Sequence, residues 1–203
     1  MVIDIRMAQH RCGSDSVETT DRLVFVDDPG VLSTLAAEGR ARWVLPVTSP
    51  GFVRFGRVRL RSVRAWLEGA RVPSGGAVSV RLATRGDYLE RLGGSFHRFV
   101  SAPLVRDFRY RVVLDTADSP DWLFPDGTSA QIELDGVVDE SDGLRHFQPT
   151  PMAEWHLTAT GDGLDLTDVT RVVMEFTGAV NPRTEPVQRA PAARGSEGLD
   201  WSA

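Results

Sequence analysis

Arg57-Val58-Arg59-Leu60-Arg61-Ser62-Val63-Arg64-Ala65-Trp66-Leu67-Glu68, followed after a break at Gly69 by Ala77-Val78-Ser79-Val80-Arg81-Leu82, is the stretch whose reading decides the fold. Val58 and Leu60 alternate with Arg57, Arg59 and Arg61. That period of two places apolar groups on one face of a strand and guanidinium groups on the other. Val78, Val80 and Leu82 repeat the same period. With Val72-Pro73-Ser74-Gly75-Gly76 between them, the two runs read as neighbouring antiparallel strands. Arg57, Arg59, Arg61 and Arg64 read as a solvated strand face rather than a phosphate comb. Each strand buries one face, so a second layer is required, and the expected architecture is a sheet packed on a sheet.

Outward from this stretch the punctuation is regular. Upstream, Leu23-Val24-Phe25-Val26 has strand composition and ends at Asp27-Asp28-Pro29. Asp28 is placed to cap a helix and Pro29 to occupy its first turn, where the missing amide costs nothing. Leu32, Leu35 and Ala36 then recur at helical spacing and Gly39 closes the segment. Arg42 to Pro46 is extended again. Downstream, Gly86 to Gly94 reads as a connection with a turn of helix. Phe108, Tyr110, Val112 and Leu114 alternate, as do Ala130 to Leu134. Asp135-Gly136, Asp142-Gly143 and Asp162-Gly163 mark turns, Trp155 to Ala159 is a further strand, and Val172 to Phe176 is apolar enough to be buried on both faces. The fold class is therefore all-β: an antiparallel β-sandwich, jelly-roll or Greek-key-like, of about eight strands with one short helix near residues 29–38. The domain spans residues 21–180. A loosely ordered lead-in of residues 1–20 precedes it, and a disordered tail, residues 181–203, follows from the collapse into Pro, Arg, Ala, Gly and Glu.

Composition removes several classes of chemistry. All 23 basic residues are arginine, so lysine Schiff bases and the lysine of a phosphate-binding loop are excluded. A net charge of −5 with interspersed signs argues against nucleic acid as the partner. Cys12 is the single cysteine, so neither an internal disulfide nor a multi-cysteine zinc site can form. The first residues lack the apolar core of a signal peptide, and no run approaches the roughly 20 apolar residues of a membrane helix. Localisation is left open.

Candidate sites are few. His10, His97, His146 and His156 are scattered without metal-ligand spacing, and no G-x-S-x-G elbow occurs. Asp115, Asp118, Asp121 and Asp126 crowd one loop and suit either calcium or turn capping, although the closing glutamate of the 12-residue calcium loop is absent. Paired carboxylates for glycoside cleavage are a three-dimensional matter. No catalytic, cofactor-binding or metal-ligating residue is assigned. Trp122, Leu123 and Phe124 stand out as large apolar groups in a polar loop, either a contact surface or plugs closing one end of the sandwich.

These residues, in order, also carry a resemblance. Asp28-Pro29, Leu32, Leu35, Gly39-Arg40, Trp43 and Leu45-Pro46 begin the series, and Pro50-Gly51-Phe52 with Arg57 to Val63 continues it. Trp155-His156-Leu157, Asp168-Val169 and Phe176-Thr177-Gly178 close it. The series resembles the carboxy-terminal β-sandwich of the A subunit of Tc insecticidal toxin complexes, the domain that binds the B component. The likeness covers about residues 22 to 180. It departs at Gln148-Pro149-Thr150-Pro151-Met152, where the family carries a glycine-rich connection. The resemblance implies a non-enzymatic assembly module that meets neighbouring copies in a ring, presents a platform to the toxin B component, inserts no segment of its own into a membrane, and is exported as part of a toxin complex. A reading from a different class is a carbohydrate-binding sandwich in which Trp66, Trp122 or Phe124 stacks on a sugar ring.

Overall fold

A computed structural model of the chain describes residues 18–53, 55–73, 75–92, 95–113, 119–135 and 149–182. His10, Cys12, Asp115, Asp118, Asp142-Gly143, His146 and Trp201, with most of the lead-in and tail, lie outside the described residues. The elements in order are β1 (Glu18–Val26), α1 (Pro29–Glu38), β2 (Arg40–Val44), β3 (Phe55–Glu68), β4 (Ala77–Leu92), β5 (Ser95–Val100), β6 (Val105–Val113), β7 (Trp122–Leu123), β8 (Ser129–Leu134), β9 (Ala153–Thr160) and β10 (Arg171–Pro182). β1 thus begins inside the expected lead-in, and β10 runs two residues past the expected end of the domain. No described helix is long and apolar enough to cross a membrane.

The ten strands form two antiparallel sheets, one ordered β1-β10-β3 and the other β2-β9-β4-β6-β8-β7, with β5 paired to β4. The all-β sandwich-like architecture is as the sequence implies. α1 is also as expected: Asp28 Oδ1 accepts from the amides of Gly30 at 2.9 Å and Val31 at 3.0 Å. Gly39, at φ 67°, ends the helix and donates to Leu35 O. Leu35, fully buried, ties the helix to the core.

The stretch that opens the sequence reading is not a hairpin. β3 pairs with β10, whereas β4 pairs with β9 on one side and with β5 and β6 on the other, so the two strands lie in different sheets. Two strands that each carry one apolar face can sit side by side and wait for a cover, or each can belong to the cover of the other; the local pattern is the same. The connection is drawn aside by Arg71 and Asp165, which exchange backbone hydrogen bonds of 2.9 and 2.8 Å. One extra residue of β3, Arg61, bulges out where Leu60 and Ser62 face consecutive Gly178 and Thr177. Accordingly the buried positions shift from Val58 and Leu60 to Val63, Ala65 and Leu67.

β4 corrects a second expectation. Residues 86 to 92 continue the strand instead of forming a helical turn. Gly86 sits at φ 88°, and a Cβ there would come within 2.4 Å of Ser101 O, so β4 bends at this residue without ending. The core between the sheets is aromatic. Trp155 of β9 meets Phe176 of β10 at 5.5 Å and donates from Nε1 to Pro151 O. Trp66 of β3 meets Phe108 at 4.9 Å and Tyr110 at 5.0 Å, both on β6.

Trp155 is fully buried at the junction of the sheets, so Trp155→Ala is expected to cost about 3–5 kcal/mol in urea-induced unfolding. A loss under 1 kcal/mol would mean that the two sheets do not depend on this contact.

Candidate binding surface

The loop aromatics are mostly interior. Trp122 stacks on Trp66 with centroids 5.4 Å apart and planes 10° from parallel, and Phe124 is buried against Tyr110. Trp66 is itself fully buried, so neither it nor Phe124 can offer a face to a sugar ring. Of the predicted trio only Leu123, 62% exposed, is turned to solvent. Trp122 and Phe124 therefore plug one end of the sandwich, and the short β7 is the strand that carries this plug. Asp126 caps its own turn, accepting from Thr128 N and Oγ1 at 2.9 and 2.7 Å. These bonds hold its carboxyl below the usual range. Asp121 accepts from Ile132 N at 2.7 Å. Both are thus engaged in turn and strand closure. Among the described residues no cluster of three or more His, Cys, Asp or Glu is arranged to hold a metal ion.

The more distinctive surface lies at the other end, where β4 beyond its bend and β5 form a hairpin, Asp87–Leu92 against Ser95–Val100. The arginine face of β3 lies under it. Arg59 donates from Nη2 to Glu90 Oε2 at 2.9 Å, and Arg57 donates from Nε to Glu90 Oε1 at 3.1 Å. The Arg59 side chain is only 7% exposed, which corrects the expectation of a solvated face. Burial holds its guanidinium below the usual range even with Glu90 beside it, and its Nε is buried without an acceptor. A two-residue period shows which side chains share a face; it does not show that another strand will cover that face.

Two more arginine contacts fasten the hairpin. Arg91 donates to Val53 O at 2.8 Å and Val47 O at 2.9 Å while lying over the ring of Phe96, and Arg59 lies over the ring of Phe99. Phe99 stacks in turn on Tyr88. The Tyr88 hydroxyl, 2.7 Å from Thr84 Oγ1, also accepts from Leu104 N. The segment where the sequence departs from its resemblance laces the sheets together here: Leu60 N donates to Pro149 O, Thr150 Oγ1 to Leu89 O, and Leu89 N to Met152 O.

On the outer side of this fastened hairpin, register places Phe96, Arg98 and Val100 opposite Arg91, Leu89 and Asp87. Phe96 is 55% and Val100 79% exposed, and Val44, at the end of β2, is also open. A cleft of about 60 Å³ lies among Val44, Asp87, Leu89, Arg98, Met152 and Glu154. Its rim carries the ion pairs Arg98–Asp87 at 3.0 Å and Arg85–Glu154 at 3.3 Å. An apolar floor with charged edges on a braced backbone is the anatomy of a protein contact. Sequence reading does not single out Phe96 and Val100, because only the pairing of β5 with β4 reveals their shared outward face.

Glu90→Ala leaves Arg57 and Arg59 without their shared carboxylate, and a loss of about 3–5 kcal/mol in urea unfolding is expected. Adding Arg59→Met should recover part of it. Unchanged stability in the single variant would show that the pair is not needed to seat the hairpin.

The chain's two tyrosines give a pH test. Burial first of all pushes the phenols of Tyr88 and Tyr110 up. Their contribution to stability is therefore complete below the unfolded value of about 10 and is lost as pH rises from there through the folded values. Tyrosinate absorbance in native protein should rise at higher pH than in urea; superimposed curves would contradict the burial of both rings.

Set against models of known protein families and against curated proteins, the chain matches none.

Proposed function

We propose that the chain is a non-enzymatic protein-binding and assembly module, similar to the domain through which a Tc toxin A subunit binds its B component, and that it docks through the outer face of the β4–β5 hairpin. The carrying observation is the exposure of Phe96 and Val100 beside a cleft that Val44 lines, on a hairpin whose other face is fixed by Glu90 and Phe99 and whose outer face Arg91 ties to Val47 O and Val53 O. A partner that covers these side chains gains apolar burial without ordering a loop, since the backbone is already held. The paired charges at the rim, Arg98 with Asp87 and Arg85 with Glu154, fix orientation more than they add affinity. Leu123, at the opposite end of the large sheet, is a single exposed side chain and serves as the control position.

The test is co-sedimentation with a purified toxin B component from the same genome. A complex is expected at micromolar concentration. Phe96→Asp combined with Val100→Asp should weaken it by about 10- to 100-fold, the scale of losing a central apolar anchor. Leu123→Asp should leave it within about threefold. No complex at micromolar concentration would sink the reading, and a complex insensitive to the hairpin substitutions would move the docking face elsewhere.

A further inference from the structure

Sheet edges in this fold are defended in different ways, with one exception. β2 carries Arg40 and Arg42, and β7 is only two residues long. The outer edge of β3 is covered in part, since Leu60 N donates to Pro149 O and Leu67 N to the Tyr110 hydroxyl. β5 sets Arg98 between Phe96 and Val100. β1 is hydrogen-bonded on one side to β10, and among the described residues no strand pairs with its other side. Its last four residues, Leu23-Val24-Phe25-Val26, hold no charge or proline, and their pairing to β10 has no bulge. Charges, prolines, bulges, short strands and covering loops are what keep an edge from pairing; this end of β1 has none of the first four, and the loop at Gly51 approaches it at Leu23 O, where a Cβ would lie 3.8 Å away.

Its side chains point the same way. Val24 and Val26 are buried, whereas Leu23 and Phe25 are 41% and 51% exposed. The Phe25 ring is held from one side by the guanidinium of Arg171 at 4.8 Å. It is a positioned aromatic group with an open face, as an anchor requires.

We propose that the edge of β1 pairs antiparallel with the β1 edge of a second copy of this chain, about a two-fold axis at Val24. The register follows from symmetry. A two-fold axis perpendicular to the sheet sets its central residue opposite itself and the flanking residues opposite one another. Centred on Val24, it sets Leu23 opposite Phe25 of the second copy, twice, so that four large apolar side chains share one face. Centred on Arg22 it opposes two arginines, and centred on Leu23 it opposes Phe25 to Asp21. Centred on Phe25 it runs off the end of β1 almost at once. Only the Val24 axis sets Leu23 against Phe25 on the outward face, with Arg22 opposite Val26 on the inward one, and the dimer then carries one continuous sheet, β3-β10-β1 from each copy.

Sedimentation equilibrium of the full chain tests this without any toxin component, so its failure and the failure of the docking reading are separate events. A monomer–dimer equilibrium in the micromolar range is expected. Leu23→Lys with Phe25→Lys should raise the dissociation constant by at least about tenfold while circular dichroism stays unchanged. Leu23→Thr with Phe25→Thr retains strand propensity and should weaken the dimer in the same direction if the lysine pair fails to fold. A chain monomeric throughout that range overturns the proposal. So does a dimer that both variants leave intact, or a monomer that dimerises only after residues 1–15 are removed, which would give the edge to the chain's own leading segment.

Discussion

The contact between Trp155 and Phe176 sets the terms for the rest of the molecule. It joins β9, near the middle of the large sheet, to β10, the central strand of the small one. β10 is apolar in Val172, Val173, Met174 and Phe176, all buried, so it needs a neighbour on each side and cover above and below. β1 and β3 supply the neighbours, and only the large sheet can supply the main cover. β3 flanks β10 with one edge, and its other edge meets Pro149 O and the Tyr110 hydroxyl instead of β4, however close the two strands are in sequence. The chain therefore crosses from one sheet to the other between Glu68 and Ala77.

Electrostatics follow from this crossing. With β3 in the small sheet and β4 in the large one, the bend at Gly86 carries the end of β4 over the arginine face of β3. Charges that would have been solvated are then enclosed. Enclosing Arg57 and Arg59 with a single carboxylate is a costly arrangement, because desolvation of two guanidinium groups is offset by one Glu90 and by the Phe99 ring under Arg59. Its effect is geometric. A hairpin held by Glu90, by Arg91 on two carbonyls and by the Tyr88 hydroxyl has little freedom to pivot, and its outer residues keep a fixed spacing.

What the sequence revealed about this fold was whatever depends on near neighbours. The Asp28-Pro29 start and Gly39 stop of α1 are set by local backbone chemistry, and both residues act as read. Alternation in β6, β8 and β9 announced strands because one face of each is buried. Partner choice was hidden: the same Val58, Leu60 and Val78, Val80 pattern suits a hairpin and a sandwich crossing equally. Gly86 to Gly94 reads as a connection because a glycine that bends a strand looks like one that ends it. Trp122 and Phe124 were singled out for being large and apolar in a polar loop, a signal shared by anchors and plugs; only the stack on Trp66 decides between them. Conversely, Phe96 and Val100 gave no signal, since an outward apolar residue on a strand resembles an inward one until its cross-strand partner is known.

The two surfaces proposed here differ in kind, and the difference follows from topology. The hairpin face is made of side chains on paired strands, so its backbone is satisfied and a partner must recognise shape and charge. The β1 edge has backbone donors and acceptors to offer in addition to Leu23 and Phe25, so recognition there runs through the ladder and depends less on sequence. An edge that would pair with many strands is a hazard unless something occupies it, and a symmetric mate occupies it while presenting no further free β1 edge. Closing β1 against a second copy leaves the β4–β5 hairpins as separate docking faces, one on each copy. Partner binding then gains from two-point attachment only where the partner offers two sites at the spacing the dimer sets.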